Sequence, residues 1–248
     1  MNVVFDIDGT ICHDGRKIDQ TLLNYFSKEI AENSDHRLIF ASARPVRDIL
    51  PLLPANLQRS YLIGGNGTMV YFEKEPLYTK PLPSAAASEI INYIVKHKLD
   101  YMIDEAWNYA FAGENLQELK KKIDILGRAK NLSLQDIKSP LKILIANYQN
   151  ETQVIKDLSH LAIEPILYPR ENCLDLLSQG VNKASALTEI FGAEPYLAFG
   201  NDRNDLEMLR QASYSVCVGD SLEVQNVAHK TISENTAEML ALLKELIH

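Results

Sequence analysis

Val3-Val4-Phe5-Asp6-Ile7-Asp8-Gly9-Thr10 is the stretch on which the fold turns. Val3–Phe5 is a short unbroken apolar run, as in a strand buried on both faces, and it stops at Asp6 and then Gly9, which places a loop at its end. Two acids at i and i+2 leaving a strand face the same side. In an open parallel sheet the crevice at the carboxyl ends of the strands is where ligands bind. Taken alone, Asp6–Thr10 also suits an ordinary polar turn or a calcium loop.

The residues that follow extend the pattern. Ile18 to Ile30 repeats apolar residues at helical spacing, and Leu38–Ala41 reads as a second buried strand, so strand, helix, strand implies a parallel βαβ unit. Pro45–Leu50 predicts a short helix limited by Pro51, Tyr61–Ile63 a third strand, and Gly64-Gly65-Asn66-Gly67 a turn. Thr68–Phe72 and Pro76–Thr79 read as a hairpin. The pattern then changes at Lys80-Pro81-Leu82-Pro83-Ser84, a linker-like stretch in which Ser84 is the expected N-cap of a helix running to Lys98. Strands are expected at 101–104, 107–112, 142–146, 166–168 and 173–177, with helices at 116–126 and 152–161, a mixed α+β order.

After Gly180 the alternation returns: helix 183–191, strand 196–199 ending at Gly200, helix 206–211, strand 214–218, and helices 222–228 and 237–247. The two ends of the chain thus share one α/β grammar. The expected division is a core of residues 1–80 and 179–248 interrupted by an α+β domain of residues 81–178.

Length and composition bound the function. At about 100–200 residues per domain, 248 residues make two modest domains, and 46% hydrophobic with 23% charged residues excludes disordered and fibrous classes. A formal charge of −8 carries no basic footprint for nucleic acid or an anionic membrane. Cys12, Cys173 and Cys217 have no CxxC spacing and do not make a disulfide framework. No basic segment precedes Asp6 and Asp8, and no apolar run reaches the roughly 18 residues of a membrane span. The expectation is a cytoplasmic protein without nucleic-acid or membrane partners; the oligomeric state is left open.

A second acidic cluster, Gly200-Asn201-Asp202-Arg203-Asn204-Asp205, leaves its strand as the first does. Two such loops at the ends of two parallel strands gather hard oxygen ligands in one crevice, the manner in which Mg²⁺ is held. The cluster also reads as a helix N-terminus capped by Asp and Asn. Ser42, after the second strand, offers a hydroxyl and neighbouring backbone N–H groups, and Lys183 an ammonium at a helix start, both suited to phosphate. Each has a plainer reading, as a cap and as a surface charge.

In this order, Asp-Ile-Asp-Gly-Thr at 6–10, Ser-Ala-Arg at 42–44, the Asn66-Gly67 turn, Lys183 within Gly180-Val181-Asn182-Lys183, and Gly-Asn-Asp-Arg-Asn-Asp at 200–205, the chain resembles the haloacid dehalogenase superfamily, specifically its Cof-like phosphatases with an inserted C2B-type cap. The resemblance implies a Rossmann-like parallel-sheet α/β core with an inserted α+β cap. It implies Asp6 as nucleophile and Asp8 as general acid and base. Phosphate would be held by Ser42, the backbone at Gly9 and Ala43, and Lys183; Mg²⁺ by Asp6, the Asp8 carbonyl and the last motif.

One departure stands out. The family pattern Gly-Asp-x-x-Asn-Asp puts an acid where this chain has Asn201. The ligand there is then Asn201, with Asp205 close behind, or Asp202. Asn204 is expected to fix that loop, and Arg44 and Asn66 are candidates for substrate contact or loop support. Arg47 is expected to pair with Asp48 and His13 to sit in an exposed turn. Trp107, Tyr109 and Phe111 are expected to pack a core face. The activity implied is Mg²⁺-dependent hydrolysis of a small phosphorylated metabolite, a sugar phosphate, through an aspartyl-phosphate. The alternatives are a phosphomutase of the same chemistry and a non-catalytic phosphate-binding regulatory protein.

Overall fold

The computed structural model describes residues 1–32, 35–168 and 172–247. The strands are β1 (Asn2–Asp6), β2 (Arg37–Ala41), β3 (Tyr61–Gly64), β4 (Met69–Phe72), β5 (Glu75–Thr79), β6 (Asp100–Asp104) and β7 (Tyr109–Ala112). They continue with β8 (Lys142–Ala146), β9 (Ile163–Tyr168), β10 (Cys173–Ser178), β11 (Tyr196–Gly200), β12 (Tyr214–Val218) and β13 (Lys230–Ile232). The described chain divides into two compact units, Met1–Leu77 with Asn182–His248, and Tyr78–Val181.

The first unit is built on one sheet of order β13-β12-β11-β1-β2-β3-β4-β5, parallel from β13 to β3, with β4 returning antiparallel along β3. All five residues of β1 are buried, which is why Val3–Phe5 reads as an unbroken apolar run. From β1 the chain steps outward to β2 and β3 on one side; β11, β12 and β13 fill the other. The strand order therefore reverses beside β1, and in an open parallel sheet ligands bind outside the carboxyl ends of the strands at such a reversal. Behind it Phe5 stacks on Phe199 at 4.7 Å and packs against Phe26 at 4.5 Å, so the strands that carry the loops rest on an aromatic core.

Local chemistry trims several expected elements. The helix expected from Ile18 begins at Gln20 because the Asp19 carboxylate accepts from Thr21 N–H, and from Phe26 to Ala31 it widens into a π-helical turn. There the Ser27 hydroxyl donates to the Leu23 carbonyl and Glu32 N–H donates to the Ser27 carbonyl, five residues back. β13 was not legible: two of its three residues are exposed, so it has no apolar run.

The second unit is an antiparallel sheet of order β7-β6-β8-β10-β9. Helices Ser84–His97 and Glu151–Leu158 cover one face through Ile90, Ile94, Val154 and Leu158. Ser84 is the first helical residue and not the cap; Pro83 holds the cap position, without a side-chain bond. The helix expected over 116–126 is one turn, Gln117–Lys120. It stops because Asp124 adopts φ +46° and its carboxylate accepts from Arg128 and Ala129 N–H groups, a turn that competes with helix. Tyr109 and Phe111 pack on the sheet face opposite the helices, as expected, while Trp107 precedes the strand and donates to the Arg128 carbonyl. Among the described residues no helix is long and apolar enough to cross a membrane.

Candidate active site

The registers Asp6↔Ala41 and Phe5↔Phe199 bring the ends of β1, β2 and β11 level, so the loops that leave them start from one edge. The loop after β1 is wound tightly. Thr10, Ile11 and Cys12 N–H groups all converge on the Ile7 carbonyl at 3.3, 3.0 and 2.9 Å, and Gly9 N–H donates to the Cys12 carbonyl at 3.1 Å. Gly9 has φ +84°, and a Cβ there would stand 2.0 Å from the Asn201 amide. The expectation that Gly9 offers its N–H to phosphate thus meets an N–H already committed within the loop; what Gly9 contributes is room.

Asp6 is 3% exposed. Its Oδ1 accepts from Lys183 Nζ at 2.5 Å and its Oδ2 from Thr10 Oγ1 at 2.8 Å. Lys183 is fully buried at the start of the helix Lys183–Phe191, whose first turn is fixed by an Asn182–Ser185 capping box. The same ammonium donates to Asp205 Oδ1 at 2.7 Å. Asp205 Oδ2 accepts the N–H groups of Asn201 at 3.0 Å and Asp202 at 3.1 Å, so this buried carboxylate holds Lys183 with one oxygen and the β11 loop with the other.

One ammonium therefore sits between two buried carboxylates. Burial pushes the Asp6 carboxyl up to about 7, Asp205 adds to the rise, and Lys183 opposes it. Burial also works against the Lys183 charge, but the Asp205 and Asp6 carboxylates outweigh it and hold the ammonium above its ordinary value. In the metal-free protein we expect a ¹³C-detected titration of Asp6 with its midpoint near pH 7 and the ionised form above it. A midpoint near the free-carboxyl value of about 3.9 would show that the site is open to water.

Arg44 grips the Asp8 side chain with two bonds, Nε to Oδ2 at 2.8 Å and Nη2 to Oδ1 at 2.5 Å. Arg44 Nη2 also donates to the Gly15 carbonyl at 2.8 Å, while its Nη1 is buried with no hydrogen-bond partner among the described residues. Ser42 is buried; its Oγ accepts from Arg44 N–H at 3.1 Å, its carbonyl from Asn66 N–H at 2.9 Å, and half-buried Ala43 follows it. Asn204 Nδ2 donates to Asn66 Oδ1 at 2.9 Å, joining the β11 loop to the turn after β3. Exposed Asp202 turns its carboxylate to Arg203 N–H as a cap.

That turn after β3 also braces the lysine. Gly67, at φ +101°, would place a Cβ 2.2 Å from the Asn182 carbonyl oxygen and 3.1 Å from Lys183 N. Gly67→Ala is expected to destabilise the fold by about 1–3 kcal/mol in urea unfolding, and to lower activity by moving the start of the Lys183 helix. Thr10 and Asn182 are the participants that reading for charged side chains overlooked. Thr10 lies within the Asp-Gly-Thr motif, and Asn182 stands directly before Lys183. Arg47 and Asp48 form a buried pair, at 2.8 Å, and His13 is exposed, 3.7 Å from Glu234.

Comparison with known proteins follows the same lines. The family model for haloacid dehalogenase-like hydrolases matches residues 3–242. A Bacillus subtilis 5-amino-6-(5-phospho-D-ribitylamino)uracil phosphatase, YitU, is 24% identical, over 98% of this chain and 96% of its own length. An HMP-PP phosphatase of Escherichia fergusonii is 27% identical over 88% of this chain and 84% of its own. Among solved structures, SMU.1108c from Streptococcus mutans superposes with a TM-score of 0.83 at 18% identity, covering 99% of this chain and 98% of that one. The subclass IIB sugar phosphatase BT4131 does so with 0.77 at 20%, covering 100% and 99%. The chain belongs to the haloacid dehalogenase-like hydrolases.

Proposed function

We propose that the chain is a Mg²⁺-dependent phosphatase of a small phosphorylated metabolite, a sugar phosphate first among the candidates, working through an aspartyl-phosphate on Asp6. One observation carries the reading: a buried carboxylate at the carboxyl end of β1, beside β11, its two oxygens held separately by Lys183 and Thr10. A nucleophile fixed in this way needs no reorientation before attack.

The donors beside Asp6 suit the metal. One terminal atom of the Asn201 amide stands 3.1 Å from Asp6 Oδ2 and 3.0 Å from the Asp8 carbonyl oxygen. Neighbouring ligands of Mg²⁺, with bonds of about 2.0–2.1 Å, lie about 2.9 Å apart on an octahedral edge. Among the described residues no three His, Cys, Asp or Glu side chains make a cage, in keeping with a cation that takes one or two carboxylates and keeps several waters. We assign the metal to Asp6, the Asp8 carbonyl and Asn201. Asp205 is engaged on both oxygens and positions Lys183 and the loop. When bound, the metal supplies positive charge against Asp6 and the transferring phosphoryl group.

The protein's own groups do the rest. Asp6 Oδ1 attacks phosphorus, the bond from phosphorus to the leaving oxygen breaks, and Asp8 gives that oxygen its proton. Water then attacks the phosphorus of the aspartyl-phosphate, Asp8 takes the water's proton, and the bond from phosphorus to Asp6 Oδ1 breaks, freeing the Asp6 carboxylate and inorganic phosphate. Lys183, Ser42 and Arg44 Nη1, which has no hydrogen-bond partner among the described residues, offer donors to the phosphoryl oxygens. Because Arg44 occupies both Asp8 oxygens, the approach of a phosphate that draws the guanidinium away frees Asp8 to take up from solvent the proton it then gives.

The test is release of inorganic phosphate with and without Mg²⁺ from a panel of sugar phosphates and of phosphorylated compounds like the YitU substrate. Mg²⁺-dependent release in stoichiometric amount is expected. An isomerised sugar phosphate in place of free phosphate, or ligand binding with no turnover at any Mg²⁺ concentration, would reject the hydrolase.

A further inference from the structure

Asn201 stands where the motif has an acid, and an amide, unlike a carboxylate, has two different ends. One terminal atom of this amide is ringed by oxygens: Thr10 Oγ1 at 3.1 Å, Asp6 Oδ2 at 3.1 Å and the Asp8 carbonyl at 3.0 Å. Thr10 has a single hydroxyl proton and gives it to Asp6 Oδ2 at 2.8 Å, so its oxygen also meets the amide as an acceptor. An amide oxygen at that point would face acceptors on every side; an amide nitrogen donates to them. The other terminal atom is seated against Gly9, 2.0 Å from where a Cβ would be, so the group is wedged in a defined place. A half-turn about the bond from Cβ to Cγ exchanges nitrogen and oxygen without moving any other atom.

We propose that Asn201 is a two-ended ligand: in the metal-free protein its nitrogen closes the site by donating to Asp6 and the Asp8 carbonyl, and its oxygen takes the same position when Mg²⁺ binds. The inference rests on the Mg²⁺ reading above and deepens it. An acid at position 201 has oxygen at both ends. Without metal it sets a second negative charge 3.1 Å from Asp6 Oδ2, with no proton to offer. The amide thus stabilises the empty state and binds the cation with one negative charge fewer, so this enzyme holds its metal weakly and keeps its loops in place when the metal leaves.

Three measurements test it. Asn201→Asp should bind Mg²⁺ at least about tenfold more tightly by isothermal titration calorimetry. In EDTA at pH 8 its Tm should fall below the wild type's by about 4 °C or more, and Mg²⁺ should raise that Tm by more than it raises the wild type's. In ¹⁵N-labelled wild type, the Asn201 side-chain NH₂ signals, identified by their loss in Asn201→Ser, should exchange slowly with water in EDTA and faster at saturating Mg²⁺. This last readout stands even where Asn201→Asp does not fold without metal. Mg²⁺ binding by the wild type with unmoved NH₂ exchange, or equal Tm values in EDTA, overturns the two-ended role and leaves the phosphatase reading standing. No Mg²⁺ binding and no Mg²⁺-dependent phosphate release overturns both.

Discussion

Asp6→Asn is expected to release phosphate at least about 10³-fold more slowly than the wild type, and yet to be no less stable. The amide keeps the shape of the carboxylate and an acceptor for a neighbouring donor, but it has no anionic oxygen to attack phosphorus. Stability moves the other way because of the buried charges. Asp6, Asp205 and Lys183 together carry a net negative charge out of water; with Asp6 made neutral, Lys183 and Asp205 form a balanced pair. The raised Asp6 pKa has the same sign. Its contribution to stability is fully present below the ordinary value of 3.8 and is lost as pH rises through about 7. The variant escapes that loss, so its metal-free Tm at pH 8 should equal or exceed the wild type's. Equal phosphate release by the two proteins would remove Asp6 as nucleophile; a much lower Tm would show that its charge is needed by the fold.

Lys183→Met should bring the largest loss of stability. Methionine fills a similar volume, but it leaves Asp6 and Asp205 facing each other, both buried, with no cation between them. Removing one partner of a buried pair costs about 3–5 kcal/mol, or a fall in Tm of about 6–20 °C at this chain length. The pH dependence follows from the two shifts. The Lys183 pKa is raised, so its contribution is fully present below its ordinary 10.5 and is lost only as pH rises above that. Asp6 is ionised above about 7 and protonated well below it. The deficit of Lys183→Met against the wild type should therefore grow from pH 5 to pH 8. Adding Asp205→Asn should recover part of it, because the two changes act on one cluster. Thermal denaturation in EDTA across that range reads both effects, and a deficit flat with pH would show that the carboxylates are not left buried.

Much of this was legible along the chain. Strands buried on both faces announce themselves as unbroken apolar runs, and β8, β12 and the helix Lys183–Phe191 lie where their patterns place them. Elements set by side-chain competition or by exposure were harder. The Asp124 turn displaced a helix whose apolar spacing looked regular, and β13 has too little burial to leave a pattern. The site divides in the same way. Asp6, Asp8, Ser42, Lys183 and the 200–205 cluster are visible as motifs at strand ends and at a helix start. Thr10 is not, because a hydroxyl inside a motif carries no charge to draw the eye.

What the sequence determined by itself was which chemistry is gathered. Two acid-bearing loops, a lysine and a serine follow buried strands or open a helix, and parallel order brings strand ends to one edge whatever the detailed packing. What only the tertiary structure decided was how each group is held. Asp205 lies 22 residues from Lys183 and 199 from Asp6, and which donors reach its two oxygens is fixed only when these segments meet. The grip of Arg44 on Asp8 and the seat of the Asn201 amide among three oxygens are likewise long-range contacts. Spacing along a chain cannot encode them, because hydrogen-bond partners are chosen by direction and distance across a folded core.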